Sequence, residues 1–209
     1  MKPNRREFMR GSLGALMLAP GALRQDLPRE PDCPVTPENI EGPFWKPDAP
    51  VRKGGKLRLE GEEGKILVVH GTIEGYPSCK PLPGAVVDVW QADHEGEYDN
   101  RGFDLRGKFR ADGKGWYEYE TILPGRYEIG RNRFRPAHIH YKVTHPGHAP
   151  LTTQLYFEGD PHLRNDPWAK KALTKRLERT KTGRVRCRFD IRLRKADRRK
   201  YGSSYGGKD

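Results

Sequence analysis

Two histidines one residue apart, in Arg135-Pro136-Ala137-His138-Ile139-His140-Tyr141, are the densest group of chemistry-capable side chains in the chain. On a β-strand, His138 and His140 point to one face, and Ile139, Tyr141 and Val143 point to the other. Both imidazoles can then reach one metal ion, although neutral nitrogen donors say little about which metal it is. An isolated pair of this kind is more often two ordinary surface histidines, so the remaining donors decide.

Two of the nine tyrosines stand out by position. Tyr98 lies in the polar turn Glu95-Gly96-Glu97-Tyr98-Asp99, and Tyr127 in Leu123-Pro124-Gly125-Arg126-Tyr127. Each turn follows a predicted strand, and loops at one end of a sheet commonly converge. To bind a metal, a tyrosine must lose a proton whose ordinary pKa is about 10. A strongly charged cation nearby can drive that ionisation. Two phenolates with two imidazoles favour a hard trivalent ion, ferric rather than ferrous iron, over zinc or Cu(I). Such a centre suits a ligand with two adjacent hydroxyls, as in a catechol.

The elements that must position these groups read as short strands between Gly/Pro turns. Ile66–Ile73, Ala85–Trp90, Trp116–Ile122, Ala137–Thr144 and Leu151–Glu158 are predicted strands, as expected for an antiparallel sandwich or barrel. Asp166-Pro167 predicts a short helix, with Asp at the N-cap and Trp168, Ala172, Leu173 and Leu177 on one face. From Val185 to Leu193, apolar residues alternate with Arg186, Arg188, Asp190 and Arg192, which predicts a half-buried strand with a basic outer face and Cys187 pointing inward.

The 209 residues suffice for one well-buried domain with tails. The net charge of +12 is localised: residues 1–163 carry 23 Lys/Arg and 23 Asp/Glu, whereas residues 164–209 carry 17 and 5. A nucleic-acid binder should spread its positive field over the fold, so nucleic acid is not an expected partner. Asn4-Arg5-Arg6-Glu7-Phe8-Met9-Arg10 precedes a mostly apolar run from Ser12 to Leu23, too short to span a bilayer. It resembles a twin-arginine export signal. The expected organisation is a signal segment at 1–30, one domain at 31–194 and a basic disordered tail at 195–209. In an oxidising compartment Cys33 and Cys79 can pair.

Several stretches together resemble the intradiol ring-cleavage dioxygenase family. They are Thr36–Phe44, Pro81–Trp90, Gly96–Asp99, Pro124–Tyr127, Arg135–His140 and Leu151–Leu155, in matching order and spacing. The resemblance implies an immunoglobulin-like or transthyretin-like β-sandwich and a non-haem Fe(III) held by Tyr98, Tyr127, His138 and His140. It implies intradiol cleavage of a catechol-type ring by O2 to a cis,cis-muconate-type diacid. Arg135 then stabilises negative charge on the ring, Tyr127 leaves the metal to take a proton, and Gln154 orients substrate or oxygen. The helical dimerisation segment of catechol-type members is missing from the pattern, which leaves a homo-oligomer open. Three rivals stand beside this reading: a metal-free transthyretin-like binding module, a copper or zinc site using only the histidines, and a polyanion-associated protein.

Overall fold

Alternation of apolar and polar residues builds two sheets that share one core. The computed structural model describes residues 33–181 and 184–197. The arginine pair and apolar run of the expected export signal lie outside them, as does the tail from 198 onward. The strands are β1 (Ile66–Tyr76), β2 (Lys80–Pro81), β3 (Val86–Gln91), β4 (Arg106–Arg110), β5 (Trp116–Ile122), β6 (Tyr127–Glu128) and β7 (Phe134–Arg135). They continue with β8 (His138–Thr144), β9 (Leu151–Phe157), β10 (Thr174–Lys175), β11 (Glu178–Arg179), β12 (Val185–Arg188) and β13 (Ile191–Arg194).

One sheet runs β10-β9-β8-β3-β4, and the other centres on β1, which pairs with β2, β5, β12 and β13. Most pairings are antiparallel, but β1 runs parallel to β12 and β13, and β9 runs parallel to β10. Between the sheets, Leu67, Val69 and Ile73 of β1 meet Val87 and Val89 of β3 and Ile139, Tyr141 and Val143 of β8. Each such aliphatic side chain contributes about 1.5–3 kcal/mol by leaving water. The inward phase of β8 is therefore spent on the core, which forces His138 and His140 onto the opposite face of that sheet.

The expected strand from Val185 to Leu193 is interrupted once. At the break, Asp190 Oδ1 accepts from Thr72 N (2.9 Å) and Thr72 Oγ1 (3.1 Å), and Phe189 N donates to His70 O (2.8 Å). Register with β1 is kept on both sides, and Val185, Cys187, Phe189, Ile191 and Leu193 are all buried. The outer face is basic as expected but largely paired: Arg186 with Glu118 (2.6 Å), Arg188 with Asp190 (2.9 Å) and Arg192 with Glu74 (2.8 Å).

The predicted C-terminal helix does not form. Among the described residues, Leu163–Asn165 and Lys171–Leu173 are single 3-10 turns, and Thr174–Lys175 joins β9 as an edge strand. Leu173 is drawn into the core and Trp168 packs beneath Arg135, so tertiary contacts override a helical spacing. The expected tail is also ordered at its start, where Lys195 bridges His148 and Ala196 N donates to Gly147 O (2.9 Å). Cys33 and Cys79 are disulfide-bonded, with Cα atoms 5.9 Å apart, and Cys187 is free and buried. No described helix is long and apolar enough to cross a membrane.

Candidate metal centre

The outer face of the five-stranded sheet carries a cross-strand row set by register. Trp90 lies opposite His140, His140 opposite Gln154, and His138 opposite Tyr156. Trp90 stacks on the His140 ring at 4.8 Å between centroids, and His138 and His140 stand 4.9 Å apart. The N-terminal arm covers this row. Asn39 N donates to Thr152 O (2.9 Å), Thr153 Oγ1 to Pro37 O (2.8 Å) and Gln154 Nε2 to Ile40 O (2.8 Å).

Tyr98 is delivered by two aspartate-organised turns. Asp93 Oδ1 accepts from the backbone N–H groups of Glu95, Gly96 and Glu97, each at 2.9 Å. Asp99 does the same for Arg101 (2.9 Å) and Gly102 (2.7 Å) through Oδ1, and for Asp104 (2.9 Å) through Oδ2. Phe44 of the arm stacks on the Tyr98 ring at 4.2 Å. Arg106 of β4, buried behind the loop, donates from Nε to Asp99 O (3.0 Å) and from Nη1 to Phe44 O. Tyr127 opens the β6–β7 hairpin directly opposite Arg135, and its loop is tied to the first by Gly125 N donating to Asp93 O (2.6 Å).

The four side chains singled out from sequence close a circuit. Ring centroids are 5.8 Å apart for Tyr98 and Tyr127, 5.6 Å for Tyr127 and His138, 4.9 Å for His138 and His140, and 6.3 Å for His140 and Tyr98. Tyr98 Oη, His138 Nε2 and His140 Nε2 are buried without a hydrogen-bond partner. Each such orphan costs about 1–3 kcal/mol, so three on neighbouring rings call for a partner. His138 Nδ1 lies 2.7 Å from Pro136 O, and a carbonyl only accepts. The proton therefore sits on Nδ1, and the Nε2 lone pair is left for a ligand.

Electrostatics favour the same reading. Burial, and then the charge of Arg135, pushes the His138 imidazole down to about 3. His140 lies well below the usual histidine range, first by burial and then through His138. Both rings are thus neutral ligands at ordinary pH. Burial, and then Tyr127 beside it, raises the Tyr98 phenol above its usual value, so only a strong local positive charge would ionise it. Among the described residues there is no cluster of three His, Cys, Asp or Glu able to hold a metal.

Arg135 is fully buried and held on three sides. Nε donates to Asp166 Oδ2 (2.6 Å), Nη2 to Gln154 Oε1 (2.9 Å) and Tyr156 Oη (3.0 Å), and Nη1 to Tyr127 Oη (3.4 Å). Trp168 lies 4.6 Å from the guanidinium carbon. Gln154 Oε1 accepts from both Arg135 Nη2 and Tyr156 Oη (2.6 Å), and Nε2 gives one of its two N–H groups to Ile40 O, so the side chain is fixed beside Arg135. The sequence reading missed Trp90, Arg106, Tyr156 and Asp166 as site residues. The Asp88–Trp90 phase, matched against that of His138 and His140, could have revealed Trp90. From sequence Asp166 reads only as a helix cap.

A protein-family model described as "Dioxygenase" matches residues 40–195. Over 150 residues the chain is 37% identical to catechol 1,2-dioxygenase 2 of Acinetobacter lwoffii, covering 63% of this chain and 54% of that protein. It is 36% identical over 144 residues to the intradiol ring-cleavage dioxygenase prcA of Aspergillus niger, covering 59% and 46% respectively. The chain thus spans about half the length of the curated relatives it matches. Among solved structures, the dioxygenase domain of a carbohydrate-binding fusion from Streptomyces sp. SirexAA-E aligns with TM-score 0.70 and 38% identity, covering 78% of this chain and 100% of that one. The 3-chlorocatechol 1,2-dioxygenase of Rhodococcus opacus 1CP aligns with TM-score 0.72 and 28% identity, covering 77% and 73%.

Proposed function

Because the chain belongs to the intradiol ring-cleavage dioxygenase family, we propose that it cleaves a catechol-type ring between the two hydroxyl-bearing carbons, consuming O2 and giving a cis,cis-muconate-type diacid. The supporting observation is the closed circuit of Tyr98, Tyr127, His138 and His140, in which three buried polar atoms lack partners. In this reading Tyr98 Oη, Tyr127 Oη, His138 Nε2 and His140 Nε2 hold a non-haem Fe(III). Bound there, ferric iron would take both catechol oxygens and make the ring reactive toward O2.

The protein's own groups supply the rest. Tyr127 is the less buried of the two tyrosines and sits on a short hairpin, so its Oη is the one able to withdraw and accept a proton from an incoming catechol hydroxyl. Arg135 keeps a fixed positive charge beside that oxygen and stabilises negative charge gathering on the diol. Gln154, Tyr156 and Asp166 act as positioning residues that stop the guanidinium from swinging away. A metal-free binding module would leave the orphaned donors unexplained.

The test is an anaerobic titration of iron-loaded protein with a panel of catechols. The expected result is a burgundy-red protein whose visible band shifts on binding and which releases a ring-opened diacid when O2 is admitted. A colourless protein with a full complement of iron, or cleavage outside the diol, would overturn the proposal. We also propose export by the twin-arginine route, which the Cys33–Cys79 disulfide supports by favouring an oxidising compartment. A reporter fused after residue 30 should lose export when Arg5 and Arg6 become Lys.

A further inference from the structure

We propose that the turn His145-Pro146-Gly147-His148 is a second, independent metal site, a two-imidazole clip for a borderline divalent transition ion, Cu(II) ahead of Zn(II). The turn joins β8 to β9. Proline at its second position, Gly147 at φ +75° and a closing hydrogen bond from His148 N to His145 O (3.1 Å) make it a type II turn. That geometry brings its first and fourth residues together. His145 Nδ1 and His148 Nδ1 stand 3.2 Å apart, with ring centroids at 5.1 Å.

His148 Nδ1 is also 3.3 Å from Pro146 O. A carbonyl only accepts, so the shared proton rests on His148 Nδ1, and the His145 Nδ1 lone pair faces it. Three electron-rich atoms therefore already surround one proton. A metal ion can take the place of that proton, which moves to Nε2 of the same ring, so the exchange needs no other reactant. With metal–nitrogen bonds of 2.0–2.1 Å, nitrogens at this spacing subtend an angle of about 100° at the ion, suited to tetrahedral or tetragonal coordination.

Two separate segments, residues 194–196 and the strand at Gly75, hold the clip in place. Ala149 N donates to Arg194 O (2.9 Å), and Ala196 N donates to Gly147 O (2.9 Å). The His148 ring lies over the bare backbone of Gly75, where a Cβ would stand 2.7 Å from Nε2. Lys195 is the facing cation and opposes an ion there. The clip lies about 16 Å along β8 from His140, so it neither shares ligands with the proposed iron centre nor depends on it.

Tag-free, iron-loaded full-length protein titrated with Cu(II) tests this by calorimetry and electron paramagnetic resonance. One equivalent should bind with coupling to two nitrogens. His145→Asn and His148→Asn should each weaken uptake by about tenfold or more, and the double variant should abolish it. Far-UV circular dichroism and the iron-dependent visible band should stay as in the parent. His145→Asn guards against misfolding, because the imidazole nearest Gly75 is that of His148. Copper uptake that survives the double variant, coupling to a single nitrogen, or no uptake at all would overturn the proposal.

Discussion

Gly125 packs against the backbone of Gly96: a Cβ on Gly125 would stand 2.4 Å from Gly96 N and 2.5 Å from His94 O. The reverse holds as well, since a Cβ on Gly96, at φ +99°, would meet Arg126 O at 2.3 Å. Tyr98 and Tyr127 each follow one of these glycines by two residues. The spacing between the two phenols is therefore set by how closely two bare stretches of backbone can pass. Gly125→Ala should push the loops apart, costing about 1–3 kcal/mol of stability and lowering iron retention by about tenfold or more. Gly113→Ala, where a Cβ meets nothing within 4 Å, is the control and should change neither. Iron content after dialysis, the visible spectrum and a urea melt provide the readouts.

The buried pair Arg135–Asp166, 2.6 Å apart, makes a second prediction. Asp166→Asn keeps the shape and the turn, whose Trp168 and Ala169 N–H groups bond Oδ1 at 2.8 Å, but removes the countercharge. Breaking such a pair by removing one partner costs about 3–5 kcal/mol. Because Arg135 would lose its anchor while keeping its charge, kcat should fall about tenfold or more, with a smaller change in KM. Equal stability and unchanged kinetics would show that Gln154 and Tyr156 alone suffice to place the guanidinium.

Much of this was written into strand parity. The alternation around His138 and His140 gave the face of the sheet, and the Asp- and Gly-containing turns marked where Tyr98 and Tyr127 would sit. What stayed hidden depended on partners distant in the chain. Arg106 carries no local signal, because nothing near it in the sequence says that β4 will lie behind the Tyr98 loop. Asp166 was read as the start of a helix, and its Oδ1 does accept the two following N–H groups as a cap would. Its other oxygen is committed to Arg135, 31 residues away, and the helix gives way to core burial of Leu173 and the packing of Trp168 on Arg135. Gln154 is expected to orient substrate or oxygen, and the partners that fix it, Ile40 of the arm and Arg135, are also distant in the chain.

The Cys33–Cys79 bond closes a loop with a sequence separation of 46. Chain entropy alone assigns such a closure about 4 kcal/mol, and engineered cases commonly return less. Reduction should therefore lower stability by about 2–4 kcal/mol, measured by urea unfolding with and without dithiothreitol. It should also loosen the arm whose Gly42 and Phe44 lie on His140 and Tyr98. Thiol titration of denatured, unreduced protein should find one free thiol, that of Cys187; three would refute the bond.

Iron-free protein should lose stability in acid through its two buried, neutral imidazoles. His138 is held down at about 3 in the folded chain, chiefly by burial, whereas an unfolded histidine titrates near 6.5. Between those values the unfolded chain binds a proton that the folded chain refuses, so stability rises with pH across the window and falls as pH drops through it. His140 is shifted in the same direction and adds to the effect. The slope is at most about 1.4 kcal/mol per pH unit for each histidine, and it vanishes above about pH 7. Melting curves of iron-free protein at pH 7.5, 6.5 and 5.5 should show this dependence, and His138→Gln should reduce its slope to the share that His140 retains. A variant as acid-sensitive as the parent would place the proton uptake elsewhere, because Gln presents no ring nitrogen to titrate.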